Sequence, residues 1–291
     1  YFSIKNFSDP FKVLYGTMQA MRTLRKIKPS LVFSKGGFVS VPVVVAAKLS
    51  NIPVVIHESD ITPGLANKIA TPFAEHIFTV FEETLKYIPR DKSSAIGAII
   101  RPDLFQGDEK IARELTGFSP FKETIIVMGG SQGSKSINAA IKDNIDTLTK
   151  RFQIIHLCGK GNLDPSLIDK PNYKAFEYVT DELPHLLKIT NYVISRAGSN
   201  SIFEFLELKK PMLLIPLSKN ASRGDQVLNA NFFEKLGYAI VLEEEGLTAE
   251  TFMNSLSALA LNKEKIIDAQ CLASSSKTPE QFTELLLTYK N

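Results

Sequence analysis

The chain has 291 residues, of which 44% are hydrophobic and 22% charged; this is typical of a globular protein of about two domains and excludes a disordered chain. No apolar run reaches the roughly 18 residues that span a bilayer, and two cysteines do not make a disulfide framework. The net charge is only +3, but residues 1–57 carry eight lysine or arginine residues against one aspartate. This uneven charge indicates either an anionic partner or a solvated basic helix face.

Short apolar runs alternate with helical patterns along the whole chain. A helix is predicted to begin at Asp9-Pro10, with apolar residues every three or four positions as far as Leu24. Three more helices are predicted over residues 136–148, 199–208 and 226–236. Strands are predicted at Leu31–Ser34, Pro53–His57, Ile77–Val80, Thr124–Met128, Ile154–Leu157, Tyr192–Ser195, Met212–Pro216 and Ala239–Leu242. Because most of these strands are continuously apolar, the sequence predicts an α/β protein with doubly wound parallel sheets.

A domain boundary is predicted between the Arg101-Pro102-Asp103 segment and the loop at residues 118–120. A new series of strands and helices starts after it, at Thr124. The sequence therefore predicts two Rossmann-like domains, one over residues 1–106 and one over residues 107–269.

The first candidate site is the glycine-rich turn Gly129-Gly130-Ser131-Gln132-Gly133, which follows a strand and precedes a helix beginning near Ser134. Glycines allow a tight turn and close approach of a ligand, and the positive end of the helix favours phosphate. The alternative is a sharp turn that binds nothing. The spacing matches neither the P-loop nor the dinucleotide-binding pattern, which disfavours an ATPase and an NAD enzyme.

Two more polar segments follow predicted strands. In the segment 196–204, Glu204 is placed to accept hydrogen bonds from a ribose diol, or to form a capping box with Ser201. In the segment 218–229, Asp225 and Gln226 suit sugar hydroxyls, although Asp225 also suits a helix N-cap. The chain has no Asp-x-Asp pair, and its four histidines and two cysteines do not have the spacing of a zinc site, so neither a metal-bound diphosphate nor a zinc site is expected.

Taken together, these segments resemble the MurG family of lipid-linked N-acetylglucosaminyltransferases of bacterial cell-wall synthesis. The matching segments lie in the family's order over nearly the whole chain, at residues 36–42, 57–68, 129–133, 196–204 and 225–229. The resemblance implies the GT-B architecture, in which two Rossmann-like domains face a cleft. It also implies inverting transfer of N-acetylglucosamine from UDP-N-acetylglucosamine to undecaprenyl-diphospho-muramyl-pentapeptide (lipid I), which gives lipid II.

The resemblance also implies which residues bind each substrate. Residues 107–269 are expected to bind the donor, with Ser131 at the diphosphate, Val179 at the uracil, Glu204 at the ribose and Asp225 with Gln226 at the sugar. The full donor-side set is Arg101, Gly130, Ser131, Gln132, Gly133, Val179, Ser199, Asn200, Glu204, Asp225 and Gln226. The acceptor-side set in the first domain is Gly36, Gly37, Ser40, His57, Glu58 and Asn67, with His57 and Glu58 in a loop that faces the cleft.

The same resemblance implies no cofactor, no metal and no nucleic-acid partner. It places the protein peripherally on the cytoplasmic face of the bacterial plasma membrane. The basic residues 1–50 would face the anionic inner leaflet, and the C-terminal helix over residues 270–291 would join the first domain. Cell-wall and division proteins are further candidate partners. No general base is assigned: His57 is the only candidate, and it is equally consistent with a structural histidine at a strand end.

The chain departs from the family in two places. Asp60 stands where many members carry asparagine, which puts a donor contact there in doubt. The family's first strand and its glycine-rich loop with a histidine do not precede Tyr1, so we expect little or no transferase activity from this sequence as given. An assay beside a version with that segment restored tests this expectation, and equal turnover would contradict it.

Two other functions are consistent with the same residues. A UDP-N-acetylglucosamine 2-epimerase has the same two-domain shape but needs no lipid acceptor, and would leave the basic N-terminal part unexplained. A catalytically impaired fragment would bind the UDP-sugar, or a division protein, without turnover.

Overall fold

The computed structural model describes residues 9–130, 132–218, 224–273 and 276–290. The chain forms two compact units: Tyr1–Ile99 with Ser276–Asn291, and Ile100–Ser275. The predicted boundary at residue 106 lies inside the second unit, because the 3-10 turn Pro102–Phe105 packs against a helix of that unit, Leu183–Lys188.

In the described residues the strands are β1 Val32–Ser34, β2 Val54–Glu58, β3 His76–Thr79, β4 Ser93–Ala95, β5 Thr124–Met128, β6 Gln153–Leu157, β7 Tyr173–Phe176, β8 Tyr192–Ser195, β9 Met212–Leu214 and β10 Ala239–Val241. The α-helices are α1 Asp9–Ile27, α2 Ser40–Leu49, α3 Leu65–Ala70, α4 Glu109–Thr116, α5 Lys135–Asp143, α6 Ile145–Arg151, α7 Leu183–Lys188, α8 Ser199–Glu207, α9 Asp225–Lys235, α10 Ala249–Leu261, α11 Lys263–Cys271 and α12 Pro279–Leu287. None of these helices is long and apolar enough to cross a bilayer.

The first unit is a parallel sheet in the order β1-β2-β3-β4. One side of the sheet packs with α1 and α2 around Val44, Ala47 and Ile56. On the opposite face of the sheet, Phe282 of α12 contacts Phe78, at 5.6 Å between ring centroids. The last helix of the chain thus completes the core of the first unit.

The second unit is a six-stranded parallel sheet in the order β10-β9-β8-β5-β6-β7. Its largest core cluster includes Ile125, Ile141, Phe152 and Phe252. The strands end in register: Met128 of β5 pairs with Leu157 of β6 and Ser195 of β8, and Ser195 pairs with Leu214 of β9. Because the strands are parallel, the loops that follow them lie together at one edge of the sheet, where ligands bind in folds of this class.

All eight predicted strands are present, with ends shifted by at most two residues, but β4 and β7 were not predicted. Both are edge strands. The polar residues Ser93 and Ser94 in β4, and the exposed Lys174 in β7, hide the apolar pattern that marked the central strands. The other two edge strands, β1 and β10, keep an apolar run and were predicted, so the polar residues of β4 and β7 explain why these two were missed.

Two helix predictions need correction. The helix predicted over residues 136–148 is divided between α5 and α6 at Asn144, whose side-chain amide donates to the carbonyl of Ala140 at 2.8 Å and competes with the helical backbone. The bounds predicted for the C-terminal helix, residues 270–291, are also wrong. Residues to Cys271 belong to α11 of the second unit, and α12 belongs to the first.

Candidate functional site

The glycine-rich turn after β5 is packed so closely that its glycines are required. Gly133 has a φ of +76°, and a Cβ atom there would lie 2.0 Å from the carbonyl oxygen of Cys158. A Cβ on Gly129 would lie 2.3 Å from the backbone nitrogen of Ser134. Gly130, at a φ of +91°, accepts a hydrogen bond from the amide of Gly133 at 2.9 Å. The turn therefore brings its backbone into direct contact with its neighbours, while Ser131 lies outside the described residues.

Helix α5 begins directly after this turn, as predicted. Ser134 is its N-cap, and its hydroxyl accepts from the amide of Ile137 at 3.4 Å. The other amides of the first turn of α5 have no acceptor within the helix, so this end carries a partial positive charge beside the glycines. The geometry of the turn and helix suits a phosphate group.

Behind the turn, a buried polar chain fixes the neighbouring loop after β6. His156 bonds through one ring nitrogen to the hydroxyl of Tyr173, at 2.8 Å, and through the other to Oδ1 of Asn138, at 3.0 Å. The amide of Asn138 donates to the carbonyl of Cys158 at 2.9 Å. That carbonyl is the group a side chain at Gly133 would strike, so the chain of hydrogen bonds holds the wall against which the turn rests.

Two buried histidines predict acid sensitivity. Burial lowers the pKa of His156 to about 4, and burial with the charge of Lys35 lowers the pKa of His57 to about 4. Between pH 4 and 6.5 the unfolded chain therefore binds more protons than the folded chain, and the free energy of unfolding falls as the pH falls. We expect a loss of up to about 3 kcal/mol per histidine, at about 1.4 kcal/mol per pKa unit, measurable by urea titration.

A variant separates this effect from general acid denaturation. His156→Gln keeps a hydrogen-bonding side chain but does not titrate, so its stability should fall less steeply than that of the wild type across the same pH range. An identical slope for both proteins would show that His156 does not contribute.

Two of the predicted donor-side residues, Glu204 of α8 and Arg101, lie close together. Glu204 lies 3.9 Å from Arg101, measured from Oε1 to Nε, and Arg101 also pairs with Asp103 at 3.3 Å. The Glu204 side chain is only 21% exposed. Burial raises its pKa, while the Arg101 charge acts in the opposite direction. A carboxylate that is partly withdrawn from water and faces an arginine is a strong acceptor for hydroxyl groups.

The alternative roles that the sequence left open for two acidic residues are wrong. Helix α8 begins at Ser199 with Gly198 as its N-cap, so Ser201 and Glu204 do not form a capping box. Helix α9 begins at Asp225 with Gly224 as its N-cap, so Asp225 is not itself the cap. Both carboxylates lie within the first two turns of their helices.

The remaining donor-side residues lie in the same unit. Ser199 is buried and Asn200 exposed at the start of α8, Val179 is buried after β7, and Gln132 is exposed in the glycine-rich turn. Gln226 is partly committed, because its Oε1 accepts from the amide of Leu217 at 3.0 Å and so holds the loop after β9.

The acceptor-side residues of the first unit also cluster. Glu58 accepts from the amides of Asp60 and Gly64, at 3.1 and 3.0 Å, and from the side chain of Asn67 at 2.8 Å. Gly36 has a φ of +86°, and a Cβ there would lie 3.0 Å from Oδ1 of Asn67. Glu58 thus organises the loop that follows β2 and holds it beside the glycine loop that follows β1.

In that glycine loop, Gly37 has a φ of +85° and accepts from the hydroxyl of Ser40 at 2.7 Å. Ser40 is the first residue of α2. The loop is therefore closed by its own backbone and hydroxyl, and it precedes a helix as the second unit's glycine turn does.

The loop predicted for His57 and Glu58 is wrong, because both are buried residues of strand β2. His57 is 2% exposed and packs edge-on against Phe282, at 5.6 Å between ring centroids. Neither ring nitrogen has a hydrogen-bond partner among the described residues. This apolar position favours the structural role over that of a base.

Sequence reasoning missed the ion pair between Arg196 and Glu244, at 2.5 Å, which lies beside the start of α5. Arg196 belongs to a segment that the sequence singled out, but Glu244 lies 48 residues further along, and no local pattern joins them. In the described residues no cluster of three His, Cys, Asp or Glu side chains is arranged to hold a metal ion.

Comparison with known proteins relates this arrangement to one family. The glycosyltransferase family 28 N-terminal domain matches residues 1–79, and the family 28 C-terminal domain matches residues 124–284. A protein of Clostridium botulinum (strain Alaska E43 / Type E3) is 54% identical over 99% of this chain and 80% of its own length. One of Geobacillus kaustophilus is 56% identical over 91% of this chain and 74% of its own. Both are named UDP-N-acetylglucosamine–N-acetylmuramyl-(pentapeptide) pyrophosphoryl-undecaprenol N-acetylglucosamine transferase.

Solved structures share the fold. MurG of Acinetobacter baumannii superposes with a TM-score of 0.74 at 23% identity, over 96% of this chain and 79% of that one. The UDP-GlcNAc 2-epimerase of Neisseria meningitidis superposes with a TM-score of 0.63 at 15% identity, over 95% of this chain and 81% of that one. Two parallel-sheet α/β units and these neighbours identify the GT-B fold, but at such identities they do not separate a transferase from an epimerase. Sequence identity above 50% with relatives named as transferases, together with the match of both domain models, makes this distinction. The chain belongs to glycosyltransferase family 28.

Proposed function

We propose that the chain transfers N-acetylglucosamine from UDP-N-acetylglucosamine to undecaprenyl-diphospho-muramyl-pentapeptide, with inversion at the anomeric carbon, to give lipid II. The observation that carries the proposal is the identity of 54% over 99% of the chain to a relative named for this transfer. The 2-epimerase alternative is disfavoured, since the epimerase of Neisseria meningitidis is only 15% identical and shares the fold alone.

On the donor side, the proposal places the diphosphate at the turn 129–134 and the first amides of α5. The close packing of Gly129 and Gly133 supports this placement, because a turn that only glycine can form lets its backbone approach a phosphate closely. The ribose hydroxyls would bond to Glu204, and the uracil would pack beside Val179. Asp225 and the amide nitrogen of Gln226 would contact the sugar.

The same placement supplies part of the chemistry. In an inverting transfer the acceptor hydroxyl attacks the anomeric carbon from the face opposite UDP, and negative charge develops on the departing diphosphate. Fixed amides and the dipole of α5 would stabilise that charge without reorganising during the reaction. A general base takes the proton of the attacking hydroxyl; His57 is not proposed for this role, because it is buried against Phe282.

On the acceptor side, we propose that one face of α1 contacts the anionic surface of the inner leaflet, on the cytoplasmic side. Leu14, Met18, Arg22 and Arg25 succeed one another at helical spacing and are all exposed. An apolar groove of about 520 Å³ lies between α1 and the start of α2, on the opposite side of α1 from these four residues. Exposed apolar side chains next to basic ones suit a surface with an acyl interior and an anionic rim.

Charge reversal tests this membrane contact. Changing Arg22, Arg25 and Lys26 to glutamate should weaken binding to vesicles that contain anionic lipid by at least about tenfold, since each basic residue near such a surface contributes about 1 kcal/mol. The matched control reverses three exposed lysines of the second unit, Lys110, Lys174 and Lys265, and should bind like the wild type. Equal binding by both triple variants would refute the proposal.

Product analysis tests the transfer itself. The chain, and in parallel the chain extended by the first strand and glycine-rich loop of a family 28 relative, would be incubated with radiolabelled UDP-N-acetylglucosamine and lipid I. We expect labelled lipid II from the extended protein. Formation of N-acetylmannosamine would indicate the epimerase instead, and binding of UDP by calorimetry without either product would indicate a binding fragment.

A further inference from the structure

Arg196 follows β8 and reaches across to the start of α5. Its Nη2 donates to the hydroxyls of Ser134 and Ser136, at 2.8 and 3.1 Å, and to the Glu244 carboxylate at 2.5 Å. Its Nη1 donates to the carbonyls of Ile215 and Pro216, both at 3.1 Å. One guanidinium therefore joins the segments that follow β5, β8 and β9 to the 3-10 turn Glu244–Gly246.

Glu244 completes the same network. Its carboxylate accepts from the hydroxyl of Ser136 and from the amide of Ser218, the latter at 3.1 Å, as well as from Arg196. Burial raises the pKa of Glu244, but the hydrogen bonds from Arg196, Ser136 and Ser218 outweigh it, and the pKa is lowered overall. The carboxylate is thus held ionised, and the Arg196 charge is neutralised inside the protein.

Because Glu244 neutralises the charge of Arg196, the role of Arg196 is to hold its neighbours in place. Its side chain is 12% exposed and that of Glu244 is 19% exposed, and both are engaged by several partners. These five acceptors occupy both Nη groups of the guanidinium, so only its Nε–H has no acceptor among the described residues. The two hydroxyls it binds belong to the N-cap residue and the second residue of α5, which determine where the amides of the first helical turn point.

We propose that Arg196 and Glu244 are positioning residues for the donor diphosphate: they lock the first turn of α5 and do not contact the phosphates themselves. This inference rests on the proposed function, because it takes the start of α5 as the diphosphate site. Lysine in place of arginine would keep the charge but lose the planar fork that reaches both serines, Glu244 and two carbonyls at once.

The experiment compares two ligands, UDP by calorimetry and uridine by ligand-observed NMR, in the whole chain. Arg196→Lys should weaken UDP binding by about tenfold, the effect of one lost charge-assisted hydrogen bond or more, and change the affinity for uridine by no more than about twofold. Ser136→Ala removes one hydroxyl from the network and should weaken UDP binding by about threefold. The matched control is Glu245→Gln, which alters the neighbouring carboxylate; this group accepts from the hydroxyl of Ser218 at 2.6 Å but does not touch Arg196.

The outcomes distinguish a failure of the proposed function from a failure of the positioning role. If the wild type binds UDP no better than uridine, the proposed function itself is wrong. If the wild type prefers UDP but Arg196→Lys and Ser136→Ala weaken both ligands equally, or neither, the positioning role is refuted. If Arg196→Lys does not fold, Ser136→Ala alone decides, because selective loss of UDP supports the role and unchanged UDP affinity overturns it.

Discussion

The Gly133→Ala variant should lose at least about 3 kcal/mol of unfolding free energy, since it combines left-handed backbone strain with a steric clash. The added Cβ would lie 2.0 Å from the carbonyl oxygen of Cys158 and 2.8 Å from the carbonyl carbon, and neither is the end of a flexible side chain. The turn must therefore move away from the loop after β6, and UDP binding should be lost with it. Urea titration and calorimetry with UDP measure the two effects.

The control for this variant is Gly161→Ala. Gly161 has a φ of +74°, nearly that of Gly133, but a Cβ there would meet nothing within 4 Å. It carries the backbone strain without the clash, so its cost should be only about 1–2 kcal/mol. If the two variants had the same free energy of unfolding, the close approach of the turn to Cys158 would not be the reason that residue 133 must be glycine.

The second large effect is expected from Glu204→Gln, which keeps the shape of the side chain and removes its charge. UDP affinity should fall by about 10- to 100-fold, the range for loss of hydrogen bonds to a charged group at about 1.5–3 kcal/mol. Stability should change little, because burial already raises the pKa of Glu204 and disfavours its charged form.

A change in the ligand, from UDP to 2′-deoxy-UDP, is the matched control for Glu204→Gln. If the carboxylate binds the ribose diol, wild type should bind UDP more tightly than 2′-deoxy-UDP, and Glu204→Gln should bind both alike. Glu207→Gln, one turn later on α8, should behave as wild type. Equal losses for UDP and its deoxy analogue in Glu204→Gln would instead mean that Glu204 acts by holding Arg101, 3.9 Å away.

The parts of this fold that sequence can predict are those in which one physical requirement determines a run of residues. A strand such as Met212–Leu214, buried along its whole length, is apolar throughout and can be recognised for that reason. Strands β4 and β7, at sheet edges, contain Ser93, Ser94 and Lys174 and were missed because these polar residues interrupt the pattern. Likewise, Asn144 divides a helix by one side-chain hydrogen bond, which no periodicity reveals.

The same distinction applies to the site. The glycine-rich turn is local, because a strand, a tight turn and a helix start follow one another in the chain, and its residues could be predicted. Pairing of Arg196 with Glu244 joins residues 48 positions apart. The burial of His57 depends on its contact with Phe282, which lies more than 200 residues later in the chain. Interactions of this kind arise only when distant segments fold together.

A structure of the chain with UDP bound, obtained in the presence of a chelator, tests the central claim most directly. We expect the diphosphate against the turn 129–134 and the first amides of α5, the ribose hydroxyls on Glu204 and the uracil beside Val179. We also expect Arg196 to be still paired with Glu244 and not to touch a phosphate. UDP bound elsewhere, or a diphosphate held by the Arg196 side chain instead of the helix end, would contradict that claim.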